Sequence, residues 1–491
     1  MGGPTEDRDY DVIVVGTGVA GHCAALEALA AGARVLMVDS EAEVGGSSQH
    51  STGMVMGANT RYQREHGILD DSAERLYQSY MMSNQWSVQP SVAKRLCYEA
   101  GPTVDWLESL GVDLLDLVGS SGEDRPRSHV TGGGAAIISA IAGQIGKYDR
   151  VDTVLKTRVD RLLMRDGVVV GFGAGDDCVS AGATVLAMGG MGGDLDMVAQ
   201  WHPSAFWEAA TAPRYVGLPS ARGDAVRIAH QIDAQIVRGR GSRSPMWAFG
   251  GGYVPGYVVI VNALGRRFFD ETSGYGVAEV LFASQPGGRG YAIFDDAVKR
   301  EMVSTADVAE HVPVMIPDTL SQYAQFTGAA IDDLVAAGQV KKADTLELLA
   351  QTLGVPAANL LGMVERYNRY VARGSDDDYL KPAKNLRPLS TGPYYAFDLD
   401  LFMFGLTGAG IRIDHDASVI HRDSRSIEGL FAAGECAGGV LGSIYIGSGN
   451  ALASASTYGR IAGRNAAAQA LTGQVPPIDW KALSSSANER E

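Results

Sequence analysis

Residues 9–39, DYDVIVVGTGVAGHCAALEALAAGARVLMVD, leave this chain very few folds to choose from. The β-branched apolar run at 12–15 reads as a buried parallel strand. Gly16, Gly18 and Gly21 then make the turn into an amphipathic helix, and residues 33–38 read as a second strand. Strand, turn, helix and strand in that order are one unit of a doubly wound α/β sheet. Gly16 permits the tight turn, Gly18 lets backbone amides approach a pyrophosphate, and Gly21 lets the helix lie close to the strand with its positive end toward the phosphates. Asp39 ends the unit where a carboxylate can accept hydrogen bonds from a ribose.

That unit alone does not separate NAD from FAD. Residues 427–450, IEGLFAAGECAGGVLGSIYIGSGN, do: positions 430–433 read as a strand ending in Gly434 and Glu435, and a second strand with a terminal acid suits the ribityl chain of a longer cofactor. Residues 181–194, AGATVLAMGGMGGD, run from a short strand into Gly189 and Gly190. Between them and Asp39, residues 44–59 offer Gly45, Gly46, Ser47, Ser48 and Gly53, small enough for the chain to pass beside the pyrophosphate and the flavin edge. With Asn450 and Leu452, these residues are expected to hold FAD non-covalently. His50 lies near the expected flavin edge but out of register for covalent attachment.

The chain of 491 residues is long enough for two or three domains, each with its own core. Its Lys and Arg total 41 against 57 Asp and Glu, a net charge of −16 that opposes nucleic-acid and anionic-membrane binding. No apolar run reaches the roughly 18 residues of a spanning helix. The opening MGGPTEDRDYD lacks the apolar centre of a signal peptide, so a soluble, cytoplasmic protein is expected. Four cysteines, Cys23, Cys97, Cys178 and Cys436, form no CxxC pair and no metal spacing with the histidines, which predicts neither metal nor disulfide.

Residues 9–59, 181–194 and 427–465 resemble the flavoprotein family that contains fumarate reductase flavoproteins and 3-ketosteroid dehydrogenases, and residues 259–295 are similar to its substrate-capping region. The resemblance implies a Rossmann-like FAD-binding domain of the glutathione reductase type with an inserted α+β cap. Residues 1–236 and 396–475 would form the first, residues 237–395 the second, and 476–491 a polar tail. Helical spacing marks residues 295–305 and 343–374 as cap helices.

Within that family the C-terminal motif points to one branch. Fumarate reductases carry a run like GGVHGxNRLGGN, whose arginine binds a carboxylate and donates a proton; here GGVLGSIYIGSGN puts Tyr445 at that place. Their HTMGG-like run, with its histidine, corresponds to GLTGAGIRID at 405–414. Without those cations the two charges of a dicarboxylate would be desolvated at little compensation. A tyrosine followed by two spaced glycines, here Tyr445, Gly447 and Gly449, is instead similar to 3-ketosteroid dehydrogenases.

By that resemblance the Tyr445 hydroxyl and the Gly449 amide hold a ketone oxygen, Tyr275 in GRRFFDETSGYGV takes the α-proton, and the flavin takes hydride from the β-carbon. An ordinary tyrosine, with pKa about 10, needs a neighbouring donor or positive field to serve as base. The implied reaction is FAD-dependent α,β-dehydrogenation of a hydrophobic cyclic ketone, a 3-oxosteroid desaturated at C1–C2 or C4–C5, with an external electron acceptor that no residue identifies. A cyclohexanone-type ring with the same residues is the first alternative. The second is a fumarate reductase-like enoate reductase, in which Arg127, Arg243 or Arg412 replaces the missing cation. Arg127 and His129 fall where the family has its active-site loop, and a surface or phosphate-facing place fits them equally. Trp247, Phe249, Tyr253, Tyr257, Phe402 and Phe404 are numerous enough to line an apolar pocket.

Overall fold

In the computed structural model, the strand Tyr10–Val15 stands at the centre of an eight-stranded sheet, because its apolar residues are flanked on both sides by parallel partners. Residues 8–119, 125–203, 214–239, 242–247, 254–302 and 327–488 are described, without the side chains of 242–247, Tyr275, Phe402, Met403 and 485–488. Val12 pairs in register with Val35 on one side and with Ala183 on the other. The strand Ser426–Ala432 joins the far edge of Asp177–Leu186, also parallel, so segments from both ends of the chain enter one sheet with a single strand between them. Val12, Ile13 and Val14 are fully buried. Continuous apolar strands of this kind belong to a sheet covered on both faces.

Two helices from opposite ends of the chain seal one face. Val19–Ala30 packs along Asn450–Thr472, and the contact is backbone-close: a β-carbon on Gly459 would stand 2.5 Å from the Ala20 carbonyl oxygen, and one on Gly463 2.2 Å from that of Ala24. Only glycine lets the two axes approach so nearly.

A second, six-stranded sheet carries the cap, built around the 13-residue strand Tyr394–Leu406. That strand pairs antiparallel with Arg289–Asp295 and with Lys341–Ala343, and both faces of the sheet are covered by apolar clusters. The boundary expected between 395 and 396 falls inside this strand, whose alternating apolar positions keep it continuous from cap to cofactor side. The strand Arg214–Tyr215 also pairs with it, although it lies in the segment assigned to the first domain. The expected cap helices are Asp296–Glu301, Leu346–Leu353 and Ala357–Arg373, and the same segment also forms Tyr275–Ala283 and Gly328–Ala336. The expected C-terminal tail contains the helix Trp480–Asn488, with Trp480 tilted against His415 at 5.3 Å.

Two three-stranded sheets complete the frame. One joins Ile236–Val237, Gly410–Arg412 and Ala437–Gly438; the other joins Val55–Met56, Ser128–Thr131 and Leu114–Val118. Between them runs the loop that carries Tyr445.

Candidate functional site

A cleft of about 300 Å³ opens at the C-terminal ends of the parallel strands, where the sheet order reverses beside Tyr10–Val15. Gly16, Gly18, Asp39, Gly46, Ser47, Ser48, Gly189, Gly434, Glu435 and Leu452 line it. Gly21, Gly45, Gly53, Gly190 and Asn450 stand behind its wall. A β-carbon on Gly21 would lie 1.8 Å from the Gly16 carbonyl oxygen, so Gly21 acts by helix-to-strand approach and not by ligand contact. Gly53, at φ +76°, is pressed against Thr131 and Gly133.

The cleft suits a dinucleotide with a long second arm. β-Carbons on Gly18, Gly46 and Gly189 would meet nothing nearer than 3.3 Å, so bare backbone faces open space there. The helix Val19–Ala30 starts at Gly18, which has no side chain to cap it; the Val19 amide donates to the Ser48 hydroxyl at 3.2 Å, and the positive end of the helix faces the same space. Asp39 accepts from the Thr17 amide at 2.7 Å and hydroxyl at 2.6 Å on one oxygen and from the Glu41 amide at 2.9 Å on the other; this fixes the carboxylate, and the second oxygen keeps further acceptor capacity.

Glu435 ties three segments together at the other end. Its Oε1 accepts from the Thr407 amide at 2.8 Å and hydroxyl at 2.9 Å, the Met191 amide donates to the same hydroxyl, and Gly190 leaves the carboxylate its space. Burial pushes the Glu435 carboxyl up from its ordinary range, and the Thr407 donors oppose that only in part.

Several lining positions carry no motif: residues 157–159, 216–218, 220 and 221, Gly405 and Leu406 reach the cleft from separate loops. Others, such as Thr17, Met188 and Ala451, sit inside the recognised runs. His50 lines the cleft as the exposed last residue of a half-buried 3₁₀ turn, Gly46–His50.

Tyr445 lies just before the helix Asn450–Thr472, and its hydroxyl oxygen accepts the amide of Ala451 at 3.2 Å. Ala451 itself lines the cleft, so the phenol meets the helix start at the cofactor wall. Gly449 is the helix N-cap at φ +89°; its carbonyl accepts the Met56 amide at 3.1 Å, and its α-carbon is pressed against residues 54–56. Ser128 donates from its hydroxyl to the Ser448 carbonyl.

Tyr275 opens the helix Tyr275–Ala283, and its side chain lies outside the described residues. The backbone of the next residue touches the Tyr445 loop: a β-carbon on Gly276 would stand 2.0 Å from the Tyr445 carbonyl oxygen. The segment before it is anchored by buried charge. Glu271 receives Arg267 through two 2.8 Å bonds and Lys381 at 3.3 Å, while Arg267 also reaches Asp376 at 2.9 Å. Burial opposes ionisation of Glu271, but Lys381 and Arg267 more than offset it and hold its carboxyl below the ordinary value.

Other expected residues are placed elsewhere. Arg127 is fully buried and forms a two-pronged pair with Asp71, at 2.9 and 2.7 Å, facing neither surface nor phosphate. His129 is buried between Thr60, at 2.7 Å, and the Val55 carbonyl, at 3.1 Å; desolvation lowers its pKa to about 4, with the backbone at Val55 and Arg127 opposing it in part. Arg412 bonds Gln235 and Gln89 beside a separate surface cavity. Tyr257 belongs to the cap core, and Phe404 packs on Tyr215 at 5.4 Å, so neither lines an apolar pocket here. Phe249 and Tyr253, with the side chains of Trp247, Phe402 and Arg243, lie outside the described residues. No helix among the described residues is long and apolar enough to cross a membrane.

The model of the FAD binding domain family matches residues 11–452. A probable fumarate reductase of Shewanella frigidimarina is 32% identical, over 96% of this chain and 76% of its own. A solved flavocytochrome c3 fumarate reductase in an open conformation is 31% identical with a TM-score of 0.67, over 96% of this chain and 79% of that one. The 3-ketosteroid-Δ4-(5α)-dehydrogenase of Rhodococcus jostii, solved with 4-androstene-3,17-dione, is 25% identical with a TM-score of 0.78, over 94% of this chain and 98% of that one. With a matched family model spanning both halves of the cleft, this chain belongs to the FAD binding domain family and is an FAD-dependent oxidoreductase.

Proposed function

We propose that the protein catalyses α,β-dehydrogenation of a cyclic ketone, with a 3-oxosteroid as substrate class and FAD held non-covalently. The observation that carries this reading is the bond from the Ala451 amide to the Tyr445 hydroxyl at the cleft wall. A phenol oxygen that accepts an amide at a helix N-terminus is polarised, and its own proton becomes a better donor toward a carbonyl.

In this reading Tyr445 and the amide of Gly449 hold the ketone oxygen, and Tyr275 removes the proton from the adjacent carbon. Enolate charge then develops on an oxygen met by two fixed donors, each typically worth a few kcal/mol in a site sheltered from water. Bound FAD supplies the hydride-accepting capacity. The Gly276 contact with the Tyr445 carbonyl supports a short distance between the two tyrosine-bearing backbones. A small ring such as cyclohexanone would use the same residues.

Reduction of an unsaturated acid is the second reading, favoured by relatives whose names are fumarate reductases. Against it stands the placement of two of the three substitute cations: Arg127 is neutralised by Asp71 and Arg412 borders a different cavity, while the side chain of Arg243 lies outside the described residues. The test is direct. Purified flavoprotein mixed with a 3-oxosteroid should lose its yellow flavin absorbance and regain it with a dye acceptor. Turnover of fumarate with reduced viologen, and no bleaching by any cyclic ketone, would establish the second reading instead.

A further inference from the structure

We propose that Asn84 is the positioning residue for Tyr445, a role that deepens the reading above and rests on it. The helix Ala73–Ser83 ends at Asn84, and the chain then passes through two successive non-glycine residues in the left-handed region, Gln85 at φ +51° and Trp86 at φ +55°. Such residues are uncommon singly and need tertiary contacts to hold them. The contacts here converge on the loop that leads into Tyr445.

Asn84 is fully buried. Its Oδ1 accepts the amide of Ile444, the residue before Tyr445, at 3.0 Å, and its Nδ2 donates to the Tyr80 carbonyl at 3.1 Å. Tyr80 donates its hydroxyl to the Val440 carbonyl at 2.5 Å, and Ser87 shares a hydroxyl contact with Ser443 at 2.9 Å. A β-carbon on Gly442, at φ +78°, would stand 2.0 Å from Asn84 Oδ1, so the amide lies flush on the loop. Residues 440–444 are thus gripped from one side at four points. Beyond Tyr445 the grip passes to Ser128 on Ser448 and Met56 on Gly449.

Tyr445 lies between these two fixed ends, and Asn84 sets the nearer end one peptide away. Removing its amide leaves the part-buried Ile444 N–H without its acceptor, and the loop relaxes to regain one. That movement reaches the phenol first. The Ala451 contact to the hydroxyl is already near the long limit of a hydrogen bond at 3.2 Å and has little tolerance for displacement.

The experiment compares Asn84→Ala, Asn84→Asp and Tyr445→Phe with the parent holoenzyme carrying 3-fluorotyrosine. The ¹⁹F resonance missing in Tyr445→Phe identifies that ring without any substrate. We expect this resonance to shift or broaden in Asn84→Ala and to return most of the way in Asn84→Asp, which keeps the acceptor, with flavin content unchanged in all. With a 3-oxosteroid, Asn84→Ala should lower kcat at least about tenfold at nearly constant KM, and should lower it no further in the Tyr445→Phe background. An unmoved Tyr445 resonance in Asn84→Ala, or a full additional loss in the Tyr445→Phe background, overturns the positioning role. Full turnover of the 3-oxosteroid by Tyr445→Phe overturns the donor role of Tyr445, and no turnover by the parent overturns the ketone reading, while the resonance still decides whether Asn84 positions the ring.

Discussion

A β-carbon on Gly276 would stand 2.0 Å from the carbonyl oxygen of Tyr445, so the helix that begins at Tyr275 and the loop that carries Tyr445 meet backbone to backbone. No side chain fits between them. Gly276→Ala should push the two elements apart by a fraction of an ångström to an ångström, and misplacement on that scale can cost up to about a hundredfold in turnover. We expect kcat to fall by about ten- to a hundredfold with the flavin-to-protein ratio unchanged, measured by steady-state dye reduction and by the flavin spectrum.

Tyr445→Phe removes one hydroxyl and keeps the ring. If that hydroxyl stabilises developing enolate charge, kcat should fall by about 10²–10³. Ala451 would lose its acceptor, but the cleft wall would remain, so FAD binding should persist. Equal turnover by parent and variant at saturating ketone would exclude the donor role.

Gly21→Ala tests the cofactor side. The added methyl would stand 1.8 Å from the Gly16 carbonyl oxygen, and backbone cannot yield as a flexible side chain can. Overpacking of this kind typically costs about 1–3 kcal/mol. We expect a lower urea midpoint for the apoprotein and a substoichiometric flavin content after purification.

Stability should depend on pH through His129. Its folded-state pKa, lowered to about 4 chiefly by desolvation, lies below the ordinary value of 6.5. Between those values the unfolded chain binds the extra proton, so stability rises with pH. The contribution is whole above about pH 6.5, shrinks as pH falls toward 4, and is constant below that, a total on the order of 3 kcal/mol. His129→Gln should flatten this part of the stability curve, read from urea midpoints at several pH values; an unchanged slope would refute the assignment.

Asp71→Ala should be far more harmful than its distance from the cleft suggests. It would leave the Arg127 guanidinium buried without a counter-charge, and breaking such a pair typically costs about 3–5 kcal/mol. Replacing both partners with apolar residues should recover most of that loss, as thermal unfolding of the three variants would show.

The Rossmann unit and the cofactor class were legible because they rest on local rules. A β-branched run, three glycines and a terminal acid specify strand, turn, helix and ribose contact within thirty-odd residues, and every one of those rules acts through near neighbours. The distant glycines of the last helix carry no such local signature. Gly459 and Gly463 read as ordinary helix residues, and only packing against Ala20 and Ala24 shows why they must be small. The strand Tyr394–Leu406 likewise gave no sign that it passes without a break from cap to cofactor side, since continuity depends on which partners flank it.

Arg127 and His129 show the same division in reverse. Their residue types suggested chemistry, but the tertiary structure buried one against Asp71 and the other against Thr60. Sequence by itself determined the α/β sheet, the FAD cleft and the two tyrosines worth watching. The tertiary structure alone decided that residues 80–87 grip the Tyr445 loop, that Gly276 abuts it, and that Glu435 knots three strands' ends together. Such contacts join residues hundreds of positions apart, and a hydrogen bond of this kind leaves no period or motif in the chain, because its partners are chosen by where the sheet and helices bring them.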